Sequence, residues 1–191
     1  MTVLTRRRAA LAAIFLATSA AGIAAISAPA SAARTPLARA TLVDVAGNEV
    51  GEVVFKGFGT YADRVEVEID AATSAPGAFH GFHIHTAGVC DPNGAFASAG
   101  GHWNPGGATH GNHAGDLPSV LLTEDGQSVA EFETDRFDVE SLFDTDGSAV
   151  VLHAGPDNFA NIPVNPYGGP VGATLNTGDA GGRYACGVVT R

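Results

Sequence analysis

Between residues 65 and 70 the chain alternates without a break, Val-Glu-Val-Glu-Ile-Asp, apolar to one side of an extended backbone and acidic to the other. A period of two predicts an antiparallel strand with one face in water. Short apolar or alternating runs recur at 37–45, 50–58, 78–85, 118–122, 127–133, 148–153 and 184–189, and each reads as a strand. Gly47-Asn48 and Asp125-Gly126 are tight-turn signals between two of these pairs. Only 136–143 suggests a short helix. Eight strands with little helix predict an all-β domain, an eight-stranded antiparallel Greek-key sandwich or barrel. Two long stretches, 86–117 and 155–183, do not read as strand. Structureless stretches of that length in a small domain are usually functional or disordered.

Composition changes the picture first at the N-terminus, where the first 43 residues hold no Asp or Glu. Arg6-Arg7-Arg8 precedes an Ala/Leu/Ile stretch over 9–26, followed by Ala28-Pro29-Ala30-Ser31-Ala32. Basic, apolar and then small residues, in that order, form a secretory signal pattern with cleavage expected after Ala32 or Ala30. A thin membrane anchor is the competing reading. The segment from Thr5 to Leu11 also loosely resembles a twin-arginine export signal. The expected organisation is a cleaved signal peptide at 1–32 and one domain at 33–191, secreted or held in the cell envelope. Cleavage leaves seven basic against 20 acidic residues, so the net charge moves from −10 to −13. That balance disfavours nucleic acid, anionic membranes and polyanionic substrates as partners. Cys90 and Cys186 are the two cysteines, and an even pair in an exported protein reads as a disulfide. Closing a loop of nearly 100 residues is worth about 4–5 kcal/mol in the chain-entropy model. Two reduced core thiols are the alternative.

The histidines change the picture most. All seven lie between His80 and His153. His83 and His85 are two apart, so on a strand both rings point to one face. His102 follows in Gly101-His102-Trp103-Asn104-Pro105, and His110, His113 and Asp116 come at steps of three. His153 ends the apolar run Ala149-Val150-Val151-Leu152. Imidazole suits zinc and copper, and carboxylate suits zinc. Singly, these features have blander readings: a histidine ending a buried strand is commonly a hydrogen-bonded core residue. Together they offer seven candidate ligands, enough for two adjacent ions sharing one bridging histidine.

Six segments, in order, resemble the copper/zinc superoxide dismutase family, its secreted bacterial branch above all. They are Gly81-Phe82-His83-Ile84-His85, Gly88-Val89-Cys90, Ser98-Ala99-Gly100-Gly101-His102-Trp103-Asn104-Pro105, His113-Ala114-Gly115-Asp116-Leu117, His153-Ala154-Gly155-Pro156-Asp157 and Gly178-Asp179-Ala180-Gly181-Gly182-Arg183-Tyr184-Ala185-Cys186-Gly187. The likeness runs from about residue 38 to 190. It implies disproportionation of superoxide to oxygen and hydrogen peroxide by one-electron cycling of a histidine-bound copper next to a structural zinc. Carried over by position, it implies His83, His85, His102 and His153 as copper ligands and His102, His110, His113 and Asp116 as zinc ligands. His102 would bridge the ions and carry a proton. Asp157 would hydrogen-bond a copper-site and a zinc-site histidine, and Arg183 would attract and orient the anion. Cys90 and Cys186 match the family's disulfide. His80 matches a structural histidine that ligates nothing.

One departure from the family pattern bears on zinc. Only two residues separate His110 from His113, where the family usually has a longer segment. Steps of three could set both rings and Asp116 along one side of a tight turn, or leave the zinc site one ligand short. Charge raises a second difficulty, because −13 repels a small anion at long range. Attraction must then be local, which screening over about 8 Å permits. Arg183 is the only basic residue between Arg136 and Arg191, so capture rests on it unless Lys56 or Arg64 folds close. Three other readings compete. A secreted metal-binding protein without turnover would need neither Arg183 nor an open copper position. A copper-only dismutase follows if His110 and His113 fail to converge. A purely structural sandwich would leave the histidine cluster unexplained. Oligomeric state is not readable, since faces buried in a homodimer and exposed in a monomer look alike in one sequence.

Overall fold

The computed structural model describes residues 36–58, 61–72 and 77–191, and the expected signal peptide at 1–32 lies outside them. Nine strands follow in chain order: β1 (Pro36–Asp44), β2 (Glu49–Phe58), β3 (Tyr61–Ala72), β4 (Phe79–His80), β5 (Phe82–His85), β6 (Val120–Leu121), β7 (Gln127–Thr134), β8 (Ala149–His153) and β9 (Arg183–Val188). Seven make one antiparallel sheet in the order β5-β8-β9-β1-β2-β3-β7, and β4 pairs with β6. Consecutive β1, β2 and β3 form a meander, whereas β8 inserts between β5 and β9 by a crossover of Greek-key type. The β1–β2 turn is built as its residues suggest. Asp44 Oδ1 accepts from the amides of Ala46 and Asn48, both at 2.9 Å, and Gly47 takes φ +83°.

The sheet curls because both of its halves share one core. Ala40 and Leu42 of β1 and Val53 and Phe55 of β2 pack in the same cluster as Phe82 and Ile84 of β5 and Val150 and Leu152 of β8. Each fully buried Val, Leu, Ile or Phe side chain among them contributes about 1.5–3 kcal/mol by leaving water. Residues of β5 and β8 are buried on both faces. Their second face lies under the long loops: Ala149 and Val151 pack with Phe96, Ala99 and Cys186. This two-sided burial is what lets His83 and His85 be fully enclosed while Phe82 and Ile84, pointing the other way, fill the core.

Three expectations are refined. The run 78–85 is two strands, because Gly81 turns its amide to Gly155 O and its carbonyl to the amide of His153, both at 2.8 Å. The run 118–122 keeps only Val120 and Leu121 as strand. The helical expectation at 136–143 is met by a 3₁₀ turn over Val139–Phe143, with Val139 and Leu142 buried three apart, the period of that helix.

Candidate metal centre

The unpaired edge of β5 recruits the loop that follows it. Trp103 N donates to Ile84 O at 2.7 Å, Ile84 N to Gly115 O at 2.8 Å, and Gly115 N to Trp103 O at 2.9 Å. These bonds set His102 beside His85 and Asp116 beside His83 as isolated bridges. His153 comes from the end of β8, whose register places Val151 opposite His83. His110 is tied to the second long loop, its amide donating to Leu175 O at 2.8 Å. These five histidines, together with His113 and Asp116, are buried.

Two sets of donor atoms result, each within 4.8 Å of one another: His83, His85, His102 and His153, and His102, His110, His113 and Asp116. In the second set, Asp116 Oδ1 lies 3.0 Å from His102 Nδ1 and 3.2 Å from the Nδ1 atoms of His110 and His113. The shortened spacing thus brings His110 and His113 together. A tetrahedral zinc with nitrogen and oxygen ligands at about 2.0–2.1 Å has donor–donor edges of about 3.3 Å, close to these distances. His110 Nδ1 makes no hydrogen bond despite its position beside Asp116. A buried polar atom without a partner costs about 1–3 kcal/mol, which a cation there would relieve.

The first set fits a softer ion for a similar reason. His85 Nδ1 donates to Gly100 O at 3.0 Å and His153 Nδ1 to Gly181 O at 3.2 Å, so each ring keeps its lone pair on Nε2. Those two Nε2 atoms face each other at 3.3 Å. Opposed lone pairs repel unless a cation stands between them. His83 Nδ1, also buried, makes no hydrogen bond, because Asp157 Oδ2 holds its Nε2 at 2.7 Å. Imidazole nitrogens in such numbers suit copper, and three imidazoles with a carboxylate suit zinc. The donor sets therefore fit both ions.

Protonation agrees with this division. Burial pushes His83 down to about 4, His153 to about 3 and His85 to about 2, so all three are neutral near pH 7. Burial would lower His110 too, but the carboxylates of Asp116 and Asp157 outweigh it and raise this ring to about 9. A cation at Nδ1 would take the place of that extra proton. Asp116 and Asp157 stay well below the usual carboxylate range: burial opposes ionisation, and the facing histidines overcome it.

Asp157 serves both sets. Its Oδ2 accepts from His83 Nε2 and its Oδ1 from His110 Nε2 at 2.8 Å. Gly178, at φ +59°, lies so close that any side chain there would run into Asp157 Oδ1 and His110 Nε2. The cleft beside the first set has a volume of about 520 Å³ and is lined by His85, His102, His153, Arg183, Asn176 and Asp179 among others. Arg183 is its one basic lining residue. The guanidinium is fixed by the carbonyls of Phe96 and Gly100. Lys56 and Arg64 lie on β2 and β3, separated in the sheet from β8 by β9 and β1. The disulfide Cys90–Cys186, with a Cα–Cα distance of 5.7 Å, ties the loop to β9 just before the Phe96–Gly100 segment. Ser98 Oγ joins that segment to it by accepting from Asp91 N at 2.8 Å and donating to Val89 O at 2.9 Å. His80 stands apart from both donor sets, its Nδ1 donating to His153 O at 2.8 Å. The carbonyls that hold Arg183 and the close approach of Gly178 carry no signature in sequence. Each depends on main-chain atoms or on a neighbour distant along the chain.

Comparison with known proteins agrees with this geometry. The family profile described as copper/zinc superoxide dismutase (SODC) matches residues 49–189. The chain is 40% identical over 164 residues to the Cu-Zn superoxide dismutase of Mycobacterium tuberculosis, covering 78% of this chain and 68% of that protein. It is 31% identical over 170 residues to that of Deinococcus radiodurans, covering 80% and 84%. Among solved structures, a SOD-like protein from Bacillus subtilis superposes with a TM-score of 0.62 at 28% identity, covering 78% of this chain and 96% of that one. The clock protein EA4 superposes with a TM-score of 0.63 at 29% identity, covering 84% and 98%. With its fold, its paired histidine clusters and these relatives in agreement, the chain belongs to the copper/zinc superoxide dismutase family.

Proposed function

We propose that this superoxide dismutase holds copper through His83, His85, His102 and His153 and zinc through His102, His110, His113 and Asp116. The observation that carries the reading is that His102 belongs to both convergent sets, with Nδ1 turned to Asp116 and Nε2 left for the other histidines. When bound, copper supplies a one-electron redox couple, and zinc supplies charge and geometry without redox chemistry. The remaining work belongs to side chains. Arg183 draws superoxide into the cleft and orients it with a planar guanidinium. His102 takes up a proton at Nε2 when that atom is free and delivers it to the second superoxide. Water gives the other proton, so one superoxide leaves as oxygen and the other as hydrogen peroxide. Asp157 fixes the rings of His83 and His110 with their Nδ1 atoms inward.

The Cys90–Cys186 disulfide supports a setting outside the cytoplasm, where such bonds persist, and the N-terminal signal pattern agrees. Among the described residues no helix is long and apolar enough to cross a membrane. Metal analysis of two variants tests the division of ligands. Asp116→Ala should lose zinc, keep copper and melt at a lower temperature, because an ion bound only by the folded state stabilises it. His153→Ala should lose copper and keep zinc. If each variant loses both ions, or neither, the division is refuted.

A further inference from the structure

Arg136 follows β7, and its neighbour Phe137 is buried against Phe55 and Trp103, with ring centroids 6.2 and 6.1 Å apart. That anchor fixes the main chain, and the Arg136 guanidinium reaches back to the turn between His110 and Asp116. Nη1 donates to His113 O at 2.9 Å and Nη2 to Gly111 O at 3.2 Å. The same two residues turn their amides the other way. Gly111 N and His113 N donate to Asp116 Oδ2 at 2.7 and 3.0 Å. With Oδ2 held so, Oδ1 faces the three Nδ1 atoms of His102, His110 and His113.

We infer that Arg136 is a positioning residue for zinc: its two bonds lock the shortened turn in the conformation that brings His110, His113 and Asp116 together. The inference rests on the zinc ligands assigned above. It answers a need peculiar to this spacing, since Gly111 has no side chain and Asn112 is exposed, so the turn brings little packing of its own. Donors on a cation make stronger bonds than neutral ones, and a planar fork can serve two carbonyls at once where an ammonium is a single point.

The test compares Arg136→Ala and Arg136→Lys with the parent, each as the mature chain loaded with copper and zinc. Zinc retention against a competing chelator should weaken at least about tenfold in Arg136→Ala, the low end for groups that orient metal ligands. Copper retention should not change. Arg136→Lys should recover part of the loss. With cobalt(II) in place of zinc, the visible ligand-field bands of Arg136→Ala should shift from those of the parent. The metal-free melting temperatures should stay together, which separates positioning from general loosening. Arg136→Ala that holds zinc and cobalt as the parent does, or that loses copper and zinc equally, overturns the inference alone. A parent that takes up no zinc overturns the zinc assignment as well.

Discussion

Asp157 divides its two oxygens between histidines of different donor sets, and at the scale of single residues it couples the two. Replacing it with alanine frees His83 Nε2 and His110 Nε2 while leaving every proposed ligand in place. Asp157→Ala should therefore weaken both ions, by about 10–100-fold each, as read by chelator competition for copper and for zinc. Unchanged retention of either ion would show that the bond to its histidine does not orient that ring. The residues that converge in the two donor sets were legible in sequence, because His83 and His85 at a strand period and His110, His113 and Asp116 at steps of three are patterns of residue type. What holds them was less legible. Arg183 is fixed by the carbonyls of Phe96 and Gly100, and every residue type carries a carbonyl.

At the scale of elements, the alternation that predicted the strands also explains the site. Phe82 and Ile84 go to the core, so His83 and His85 must face the loops. The break at Gly81 was not legible, since it depends on Gly155, a residue of the distant second loop. Besides the bonds of His110 to Leu175 and of Arg136 to Gly111 and His113, three attachments hold the loop over 86–117: the edge of β5, the guanidinium of Arg183 and the Cys90–Cys186 bond. Cys90→Ser should cost about 4 kcal/mol by the chain-entropy model, seen as a lower denaturant midpoint. It should also slow turnover at constant metal content, because the segment carrying the Phe96 and Gly100 carbonyls is tied to β9 through that bond. A variant with parental midpoint and rate would show that the remaining attachments suffice.

For the whole molecule, the net charge of −10, or −13 once a signal peptide at 1–32 is removed, repels superoxide at long range, and we propose that the attraction is supplied locally. Arg183 lines the cleft together with Asp179, whose Oδ2 is occupied by Asn158 Nδ2 at 2.7 Å and Thr174 Oγ1 at 2.9 Å. Arg183→Glu should cut the rate constant at low ionic strength by at least about tenfold, the low end of steering effects. Added salt should slow the parent by screening the attraction. In the variant that dependence should flatten or reverse, with metal content unchanged. Parental rate and salt dependence in Arg183→Glu would mean that another cation supplies the attraction. The all-β fold was legible at this scale from eight short runs and their turns. The curl that joins β5 and β2 to one core was not, because it is fixed by contacts between runs far apart in sequence.

The most direct measurement is superoxide consumption by the purified mature protein, with metal content determined on the same sample. One copper and one zinc per chain should accompany rapid consumption, matching the two donor sets. Stripping the metals, or replacing His83 with alanine, should abolish consumption while the fold persists. Full activity in the stripped protein or in His83→Ala would contradict the copper assignment and the mechanism built on it.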